Sequence, residues 1–562
     1  MRIFKQLLQV SIILLISSCG LTNMANKYDT VKYTVSPPVL QTHGGEVELK
    51  IDGNFPEKYF AKKATLELTP VLIYNDNKSE TAFEKIILQG EESKGGDKTI
   101  FFNSGGSFSY SSIIPFKNDM KNARLELRAV GKMADLNGKV QEQPLGPINI
   151  ANGTLITPTR IIDEEKVSDN NHNYEKETIL KEQATIYFLV NESNIRTTEK
   201  SDDDILRLKE FAKKGYKTHS IEIMSYASPE GSVKRNDMVS ANRMKSTVKY
   251  TRNLLNKLKV EGANNSELYT ETSVGEDWVG FESIIQKSAI KDKRKISNLL
   301  NTIKDVEKRE QQLRDMTEIY DAVKDDILPQ LRKATIIIRA YEPKKTDEEI
   351  NKLSLENPTE LDLEEILYST SLTNSEEEKI KILKSALKLH DDWRITNNLA
   401  ALSIKQNKLD EAENYLKESK EISLEIKNDI LTNTGIIHAR KGNLNKAKEL
   451  FDQANASEFN YALLNIRLGN YDKAARYFKN NNTHNATLAK ILSGNYNAKC
   501  DEKTAECFYL NAISYARAGN ENLAIENLGK AIELNPEYKI DAKIDLEFFN
   551  FRNIEAFSNI IN

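Results

Sequence analysis

A short turn between an apolar strand and a long predicted helix carries the residues best suited to binding chemistry. It reads Ser-Pro-Glu-Gly, and an asparagine and an arginine follow it on the helix. A guanidinium offers a planar fork to a carboxylate, a serine hydroxyl accepts a hydrogen bond, and a glutamate adds negative charge. The candidate residues of a ligand-binding cleft are therefore Ser228, Glu230, Asn236 and Arg243.

The residues alone leave three interpretations of Arg243 open. It could bind a carboxylate of a ligand, anchor a protein partner in the same cleft, or brace the loop through carbonyls and carboxylates such as that of Glu276. Asn236 also has a structural alternative, because asparagine is a common cap at the start of a helix. The pattern indicates a cleft without deciding what fills it.

Patterns of catalysis and metal binding are missing from the sequence. The six histidines are scattered singly, and none has a partner at metal-ligand spacing. No nucleophile elbow, phosphate loop or dinucleotide fingerprint is found either. We therefore expect a protein that is not an enzyme and that uses no cofactor or metal.

Two cysteines, Cys500 and Cys507, are seven residues apart in NAKCDEKTAECFY. In an oxidising compartment they could form a disulfide that bridges a loop between two helices. The alternative is a pair of reduced thiols. A zinc site is not expected, since no histidine or further cysteine is near them in the sequence.

The first residues have the pattern of a secretory signal. Arg2 and Lys5 precede a mostly apolar run that is too short to span a bilayer comfortably. The sequence ISSC, which ends at Cys19, resembles a bacterial lipobox. That resemblance implies a lipoprotein signal peptide at 1–18 and a diacylated Cys19, whereas an ordinary signal peptide is the alternative.

Lipid on Cys19 would tether the chain to the outer membrane, because more than one acyl chain gives a stable anchor. The residues that follow, GLTNMANK, contain no acidic cluster. In Bacteroidetes-type bacteria such a cluster resembles a surface-export tag, so its absence favours a periplasm-facing protein.

Length and charge limit the class of protein. A chain of 562 residues is too long for one hydrophobic core, so about two to four domains are expected. The 79 Lys and Arg residues nearly balance the 83 Asp and Glu residues, for a net charge of −4. That balance gives no basic footprint for nucleic acid. No second long apolar run predicts a transmembrane helix.

Residues 28–160 are predicted to form a β-sandwich. Apolar and polar residues alternate in EVELKID, ATLELTPVLIY and ARLELRAVG, and stretches rich in Gly and Asn separate these segments. The polar and charged residues 161–180 are interpreted as a linker.

Residues 181–345 alternate between predicted strands and helices. ATIYFLV, IEIM, LYTETSV and KATIIIRAY are strand-like, and helical segments separate the first three. A helical insert, at about 278–332, precedes the last strand. This order predicts a mixed sheet with helices packed on one face.

The same region resembles the C-terminal domain of OmpA-like outer-membrane proteins. The family's helix motif N-x-x-L-S-x-x-R-A corresponds to NDMVSANRM, with Val for Leu and Met for Ala, and its Gly-Glu after the third strand is matched at Gly275. The long insert looks like a form common in Bacteroidetes. The family grips the diaminopimelate of peptidoglycan with an Asp in the loop and with the helix Arg, which is Arg243 here.

One of the family's ligand-contacting positions departs from its pattern. Ser228 stands where the family has the Asp, so the charge that would pair with the ligand's ammonium is lost. Glu230, two residues later, could replace that charge. The resemblance therefore implies a peptidoglycan cleft with an altered turn.

Residues 360–540 resemble tetratricopeptide repeats. Gly-Asn pairs recur four times, and in three cases an alanine follows the glycine by five residues. The step from Ala412 to Ala447 is close to the repeat period of ~34 residues. The resemblance implies an α-helical solenoid that offers a concave surface to a protein partner. Residues 541–562 are predicted to form a helical cap.

The predicted fold class is multidomain α+β, with an N-terminal β-sandwich, an OmpA-like α/β domain and a C-terminal helical solenoid. The predicted function is a lipid-anchored outer-membrane scaffold that docks on peptidoglycan or an envelope protein and recruits a partner through the repeats. Two alternatives are a purely protein-interaction subunit of an outer-membrane assembly or secretion complex, and a surface adhesin or fimbrial-type lipoprotein.

Overall fold

The computed structural model describes residues 20–134, 138–169, 172–291, 293–423, 425 and 427–562. The predicted signal peptide and Cys19 lie outside the described residues. The chain forms two compact units, one of Met1–Asn171 with Ser375–Asn562 and the other of His172–Asn374. In sequence, the second unit is therefore inserted into the first. In the part of the chain that the structure describes, no helix combines the length and apolar character that crossing a membrane requires.

The described part of residues 28–160 contains ten strands. They are β1 Lys32–Ser36, β2 Val39–His43, β3 Glu46–Phe55, β4 Ala64–Tyr74, β5 Ser79–Ala82, β6 Ile86–Gly90, β7 Lys98–Ile100, β8 Gly106–Pro115, β9 Ala123–Ala134 and β10 Val140–Leu155. The hydrogen-bonded order is β1-β3-β2-β10-β9-β4-β6-β7, with β5 beside β4 and β8 beside β3. The pairs β2–β10 and β6–β7 are parallel, and the others are antiparallel.

Alternating side chains build the core of this domain. β3 buries every second residue from Val47 to Phe55, and β9 does the same from Ala123. Successive side chains of a strand point to opposite faces, so each strand gives one face to the core. Leu49 of β3 and Leu127 of β9 belong to the same buried cluster, as expected when two layers of strands pack face to face.

The same unit contains the helical repeats. Their helices are Glu376–Ala386, Trp393–Lys405, Leu409–Ile422, Asn428–Arg440, Leu444–Ala454, Glu458–Arg467, Tyr471–Tyr477, His484–Leu492, Ala505–Arg517, Glu521–Leu534, Tyr538–Ile544 and Glu555–Ile561. At the β-domain end, His43 lies edge-on to Tyr471, with 5.0 Å between ring centres. At the carboxyl end, Phe548 and Phe557 are fully buried and pack in the cluster of the last repeats.

The loop glycines and helix alanines explain the repeat spacing. Gly442, Gly469, Gly494 and Gly519 have φ between +74° and +92°, a conformation that glycine adopts without steric cost. Ala412 and Ala447 are completely buried, so neighbouring helices can pack closely. The prediction of C-terminal α-helical repeats is confirmed.

The second unit is built on a mixed four-stranded sheet. Its strands are β11 Ile179–Tyr187, β12 Thr218–Ala227, β13 Tyr269–Glu276 and β14 Lys333–Tyr341, in the order β11-β14-β12-β13. β12 and β13 are parallel, whereas β14 is antiparallel to both of its neighbours. The helices Asp203–Lys213 and Val233–Lys257 connect the first three strands.

An insert between β13 and β14 has a buried cluster of its own. Its helices are Trp278–Lys287, Lys293–Thr302, Val306–Asp315, Thr317–Ala322 and Leu328–Leu331, with a π-helical turn at Val323–Ile327. Phe281, Leu313 and Leu331 are completely buried within it. The helices Asp347–Glu356 and Leu363–Ser369 complete the unit after β14.

Candidate functional site

The four residues predicted from the turn motif lie together at the carboxyl end of β12. Ser228 and Glu230 are in the loop that follows the strand, and Asn236 and Arg243 are on the helix Val233–Lys257. Gly231 turns the chain into that helix with a φ of +97°. We call these four residues the cleft cluster.

Arg243 braces the loop through carbonyl oxygens of the chain. It is only 1% exposed. Nε donates to the carbonyl of Glu192 at 2.9 Å, Nη1 to that of Tyr226 at 2.7 Å, and Nη2 to that of Leu189 at 3.1 Å. Burial, followed by the charge of Arg332, lowers the pKa of Arg243 to about 10, so the side chain keeps its charge at neutral pH. Each of its three nitrogens therefore has a main-chain partner.

Glu230 is paired with an arginine that the sequence pattern did not identify. Nη2 of Arg332 lies 2.9 Å from Oε1 of Glu230, and Nε donates to the same oxygen at 2.9 Å. Ser228 Oγ also donates to that oxygen, at 2.7 Å. Arg332 directly precedes β14. The only sign of its role in the sequence is that basic residues stand just before this closing strand. The carboxylate expected to face a ligand's ammonium is thus paired inside the unit.

Asn236 links the loop to β13 and does not cap its helix. Its Nδ2 donates to the carbonyl of Glu230 at 3.1 Å and to Oε1 of Glu276 at 2.8 Å. Trp278 Nε1 donates to the other oxygen of Glu276 at 2.9 Å. Glu310 of the insert adds a second carboxyl, and burial, followed by the neighbouring carboxylate of Glu276, raises the pKa of Glu310 to about 8. The insert therefore places a buried carboxyl with a raised pKa at the edge of the cleft cluster.

Residues 161–169, predicted as part of a linker, are instead bound to the repeats. They run as an extended chain past the helices Trp393–Lys405, Asn428–Arg440, Glu458–Arg467 and His484–Leu492. We call the surface formed by these four helices the repeat groove. The linker interpretation differs from the structure because the charged residues of this segment have partners far away in the sequence.

Three asparagines each hold one residue of the segment by both of its main-chain polar groups. The N–H of Ile162 donates to Oδ1 of Asn485 at 3.0 Å, and Nδ2 of Asn485 donates to the carbonyl of Ile162 at 2.8 Å. The same two bonds join Lys166 to Asn460, at 2.8 and 2.9 Å, and Ser168 to Asn433, at 2.9 and 2.8 Å. We call these three contacts the asparagine clamps.

The clamps imitate a neighbouring β-strand. In an extended chain the N–H and C=O of one residue point to the same side, and alternate residues share that side. A side-chain amide has one acceptor oxygen and a donor NH₂ group, so it can satisfy both groups at once. The clamped residues are all even-numbered, which fits this period of two. Such contacts recognise the main chain, whatever side chain the clamped residue carries.

The sequence contains a signal for the clamps, although the motif patterns above do not include it. Asn433, Asn460 and Asn485 each stand nine residues before a loop glycine, at Gly442, Gly469 and Gly494. The recurrence places the three asparagines at one equivalent position of successive repeats. It could not be assigned to a groove from sequence alone, because an asparagine at a repeated position can equally cap or support a turn.

Two arginines add selectivity for an acidic side chain. Nη2 of Arg440 lies 2.8 Å from Oε2 of Glu165, and Nη2 of Arg467 lies 2.9 Å from Oε1 of the same residue. The side chain of Glu165 is 1% exposed and that of Arg440 is 5% exposed. Arg467 also pairs with Asp163 at 2.5 Å. Glu165 therefore lies buried between two guanidinium groups.

The side chains of the segment divide between two faces. Ile161 and Val167 pack against buried clusters of the repeats. Ile162, Asp163, Glu164 and Lys166 are exposed to solvent, and Asp163 is nevertheless paired with Arg467. The side chains that contact the repeats at alternate positions from residue 161 to residue 167 thus have the order aliphatic, acidic, acidic, aliphatic, and the first acid, Asp163, is the exposed one.

Both ends of the segment are fixed by ion pairs. Lys405 Nζ lies 2.8 Å from Oδ2 of Asp169. At the other end, Nη2 of Arg160 lies 2.9 Å from Oδ2 of Asp545, and its guanidinium lies 3.9 Å from the ring centre of Tyr509. The segment is therefore held along its whole described length.

Cys500 and Cys507 lie beside the helix that follows the repeat groove in the chain: Cys507 is in the first turn of Ala505–Arg517, and Cys500 is in the loop before it. Cys500 and Cys507 are joined in a disulfide. Asn511 holds the main chain of Cys500 with the same pair of bonds, at 2.8 and 3.1 Å. Among the described residues, the one group of three His, Cys, Asp or Glu side chains close enough to share a metal ion is Cys500, Glu502 and Cys507. Its two sulfur atoms are those of the disulfide.

Comparison with known proteins gives likenesses of fold at low identity. No family model and no curated protein matches the chain. YrrB, described as a tetratricopeptide repeat protein with an unusual peptide-binding site, is similar at 19% identity over 35% of this chain and 99% of its own, with a TM-score of 0.21. A tetratricopeptide repeat protein from Parabacteroides merdae is similar at 15% identity over 48% and 100%, with a TM-score of 0.26. The APC/C hetero-tetramer Cut9–Hcn1 is similar at 12% identity over 59% and 76%, with a TM-score of 0.29.

Proposed function

We propose that this protein is a non-enzymatic scaffold that binds a protein partner through the repeat groove. The observation that carries the proposal is the set of asparagine clamps on an extended chain. Leaving a buried amide without partners costs about 1–3 kcal/mol, so a row of such amides suits an extended peptide. The groove recognises main chain and one buried carboxylate, which is binding chemistry and not catalysis.

The scaffold is anchored to the outer membrane by lipid on Cys19 and faces the periplasm. The lipobox-like ISSC sequence supports the anchor. The disulfide between Cys500 and Cys507 supports an oxidising compartment. Labelling of cells with a fatty-acid analogue tests the anchor: the label should be incorporated into the wild-type chain and lost in Cys19→Ala, which should also leave the membrane fraction.

Crosslinking in cells tests the scaffold function. The wild-type chain should capture an envelope protein, and the triple variant Asn433→Ala, Asn460→Ala, Asn485→Ala should lose it. Asn522→Ala is the matched control, because Asn522 is an exposed asparagine of the same repeats. Capture that is equal in all three chains, or no capture at all, would contradict a function of the groove in partner binding.

Docking on peptidoglycan through the second unit is a second candidate. Its support is the position of Glu230 beside Arg332, because a cell-wall carboxylate could replace Glu230 at that guanidinium. The wild-type chain should then sediment with purified sacculi, and Arg332→Ala should not. A wild-type chain that stays in the supernatant would favour the alternative in which the second unit, too, binds only an envelope protein.

A further inference from the structure

We infer that the repeat groove accepts an acidic, extended segment of a partner protein, and that residues 161–169 are a built-in occupant which this segment displaces. The inference rests on the proposed function and specifies the chemistry of its partner. The partner segment carries aliphatic residues at positions 1 and 7 and acids at positions 3 and 5, as Ile161, Asp163, Glu165 and Val167 do here.

Main-chain recognition makes the exchange chemically feasible. The three clamps bond to the N–H and C=O of Ile162, Lys166 and Ser168. Every non-proline residue has these two groups. A partner chain in the same extended conformation can therefore form all six bonds without sharing the even-numbered side chains of the segment.

The charge of the groove requires an acid at position 5. Arg440 and Arg467 bind the two oxygens of the Glu165 carboxylate, and both are largely buried. If the carboxylate were removed, the two guanidinium groups would lose their buried counter-charge and would keep only the half-exposed Asp163, which lies 2.5 Å from Arg467 but 3.9 Å from Arg440; loss of the buried partner of Arg440 is costly away from water. An occupant with a carboxylate at this point is thus strongly preferred over an empty groove or a neutral peptide.

The aliphatic positions define the register. Ile161 packs with the later repeats and Val167 with the earlier repeats. Six residues of extended chain span about 20 Å, so the two contacts are made together by aliphatic residues six positions apart. The acid between them then meets the arginine pair.

The exposed face of the segment allows replacement from solvent. Ile162, Glu164 and Lys166 are exposed along it, so an incoming chain can reach the clamps one residue at a time. The occupant is tethered to the β-domain and has an effective concentration on the order of millimolar. The wild-type groove should therefore bind a free peptide weakly, and a groove without its occupant should bind it well.

A labelled synthetic peptide with the sequence of residues 157–169, TPTRIIDEEKVSD, is the probe. It is titrated against the full chain and against a variant in which residues 161–169 are replaced by nine Gly and Ser residues. The variant should bind the peptide at least roughly 100-fold more tightly than the wild type does, because the tethered competitor is gone. The peptide should also raise the melting temperature of the variant and leave that of the wild type unchanged.

Peptide variants test the chemistry of recognition. Replacing Glu165 by Gln in the peptide should weaken binding by roughly 30-fold, because the arginine pair loses its buried counter-charge and Asp163 remains close only to Arg467. Glu164→Gln is the matched control: its oxygen can still accept the bond from Asn485, so the affinity should be nearly unchanged. Equal affinity of the two variants would overturn the assigned role of the arginine pair.

A second chain variant keeps the inference testable if the Gly/Ser variant does not fold. Glu165→Gln in the full chain weakens only the occupant, so the wild-type peptide should bind this variant roughly 10-fold more tightly than it binds the wild type. No tightening, or no binding by a folded Gly/Ser variant, would overturn the inference. Peptide binding without any captured partner in cells would instead reject the scaffold function and leave the groove chemistry intact.

Discussion

Arg332 and Glu230 form an ion pair of 2.9 Å beside Ser228, at the turn where the OmpA-like resemblance implies contact with a ligand's ammonium. A cation of the chain therefore faces the acid of the turn. Because the side chain of Arg332 is 10% exposed and that of Glu230 is 22% exposed, water screens the pair only in part. The charge of the turn is balanced before any ligand arrives.

A double-mutant cycle measures this pair. Arg332→Ala and Glu230→Gln should each destabilise the second unit, and the free-energy coupling between them should be about 1–3 kcal/mol because both belong to one buried network. Urea unfolding followed by circular dichroism gives the values. The exposed pair Lys213–Glu210 is the control and should show far smaller coupling; equal coupling in the two pairs would contradict the assignment.

Arg243 should act on stability whether or not the cleft binds a ligand. Arg243→Ala removes the donors to three carbonyls and leaves a cavity, so the unfolding free energy of the second unit should fall by about 3–5 kcal/mol. Arg243→Lys should also destabilise it, because an ammonium cannot reproduce the planar fork. Denaturant unfolding of both variants is the measurement. Wild-type stability in Arg243→Ala would show that these bonds do not brace the loop.

Glu310 should make the second unit less stable as the pH rises. Its pKa lies at about 8 in the folded protein, against an ordinary value of 4.5. Between these values the folded state binds more protons than the unfolded state, so the free energy of unfolding falls as the pH rises from about 4.5 to about 8. The slope can reach about 1.4 kcal/mol per pH unit for one proton.

Glu310→Gln tests this dependence, since a glutamine has nearly the shape of a protonated glutamic acid and does not titrate. The variant should match the wild type near pH 5 and exceed its stability near pH 8, as measured by urea unfolding across the range. Glu307→Gln, an exposed acid of the same helix, should keep the wild-type slope. If Glu310→Gln also keeps that slope, another group causes the pH dependence.

The clamps should protect the bound segment from proteolysis. Asn460→Ala removes both bonds to Lys166, which at about 1 kcal/mol each should open the segment roughly tenfold or more. Trypsin should then cleave after Lys166 faster than in the wild type, and mass spectrometry of the fragments identifies the cut. Asn522→Ala should be cut at the wild-type rate, and an unchanged rate in Asn460→Ala would mean that the clamp does not hold the segment.

Local sequence patterns predicted the strands and helices of this fold, but they did not predict the contacts between residues that are far apart in the sequence. The alternation in EVELKID becomes β3 because burial on one face needs a period of two, and the recurring glycines mark loops because the chain there needs a positive φ. Arg332, by contrast, is 102 residues from its partner Glu230, and Asn433 is 265 residues from Ser168. A sequence shows which charges and amides are available, but only the folded chain shows which of them meet.

The nested order of the two units has a consequence for biosynthesis. Ser168 is made 229 residues before Asn397, its first contact in the groove, and the whole second unit, His172–Asn374, is made in the interval. Domains tend to fold in the order in which they emerge. Residues 161–169 therefore stay exposed to solvent while the second unit folds, because the repeat groove has not yet been synthesised. During this interval, the exposed segment of a nascent chain can bind in the folded repeat groove of another molecule of the same protein.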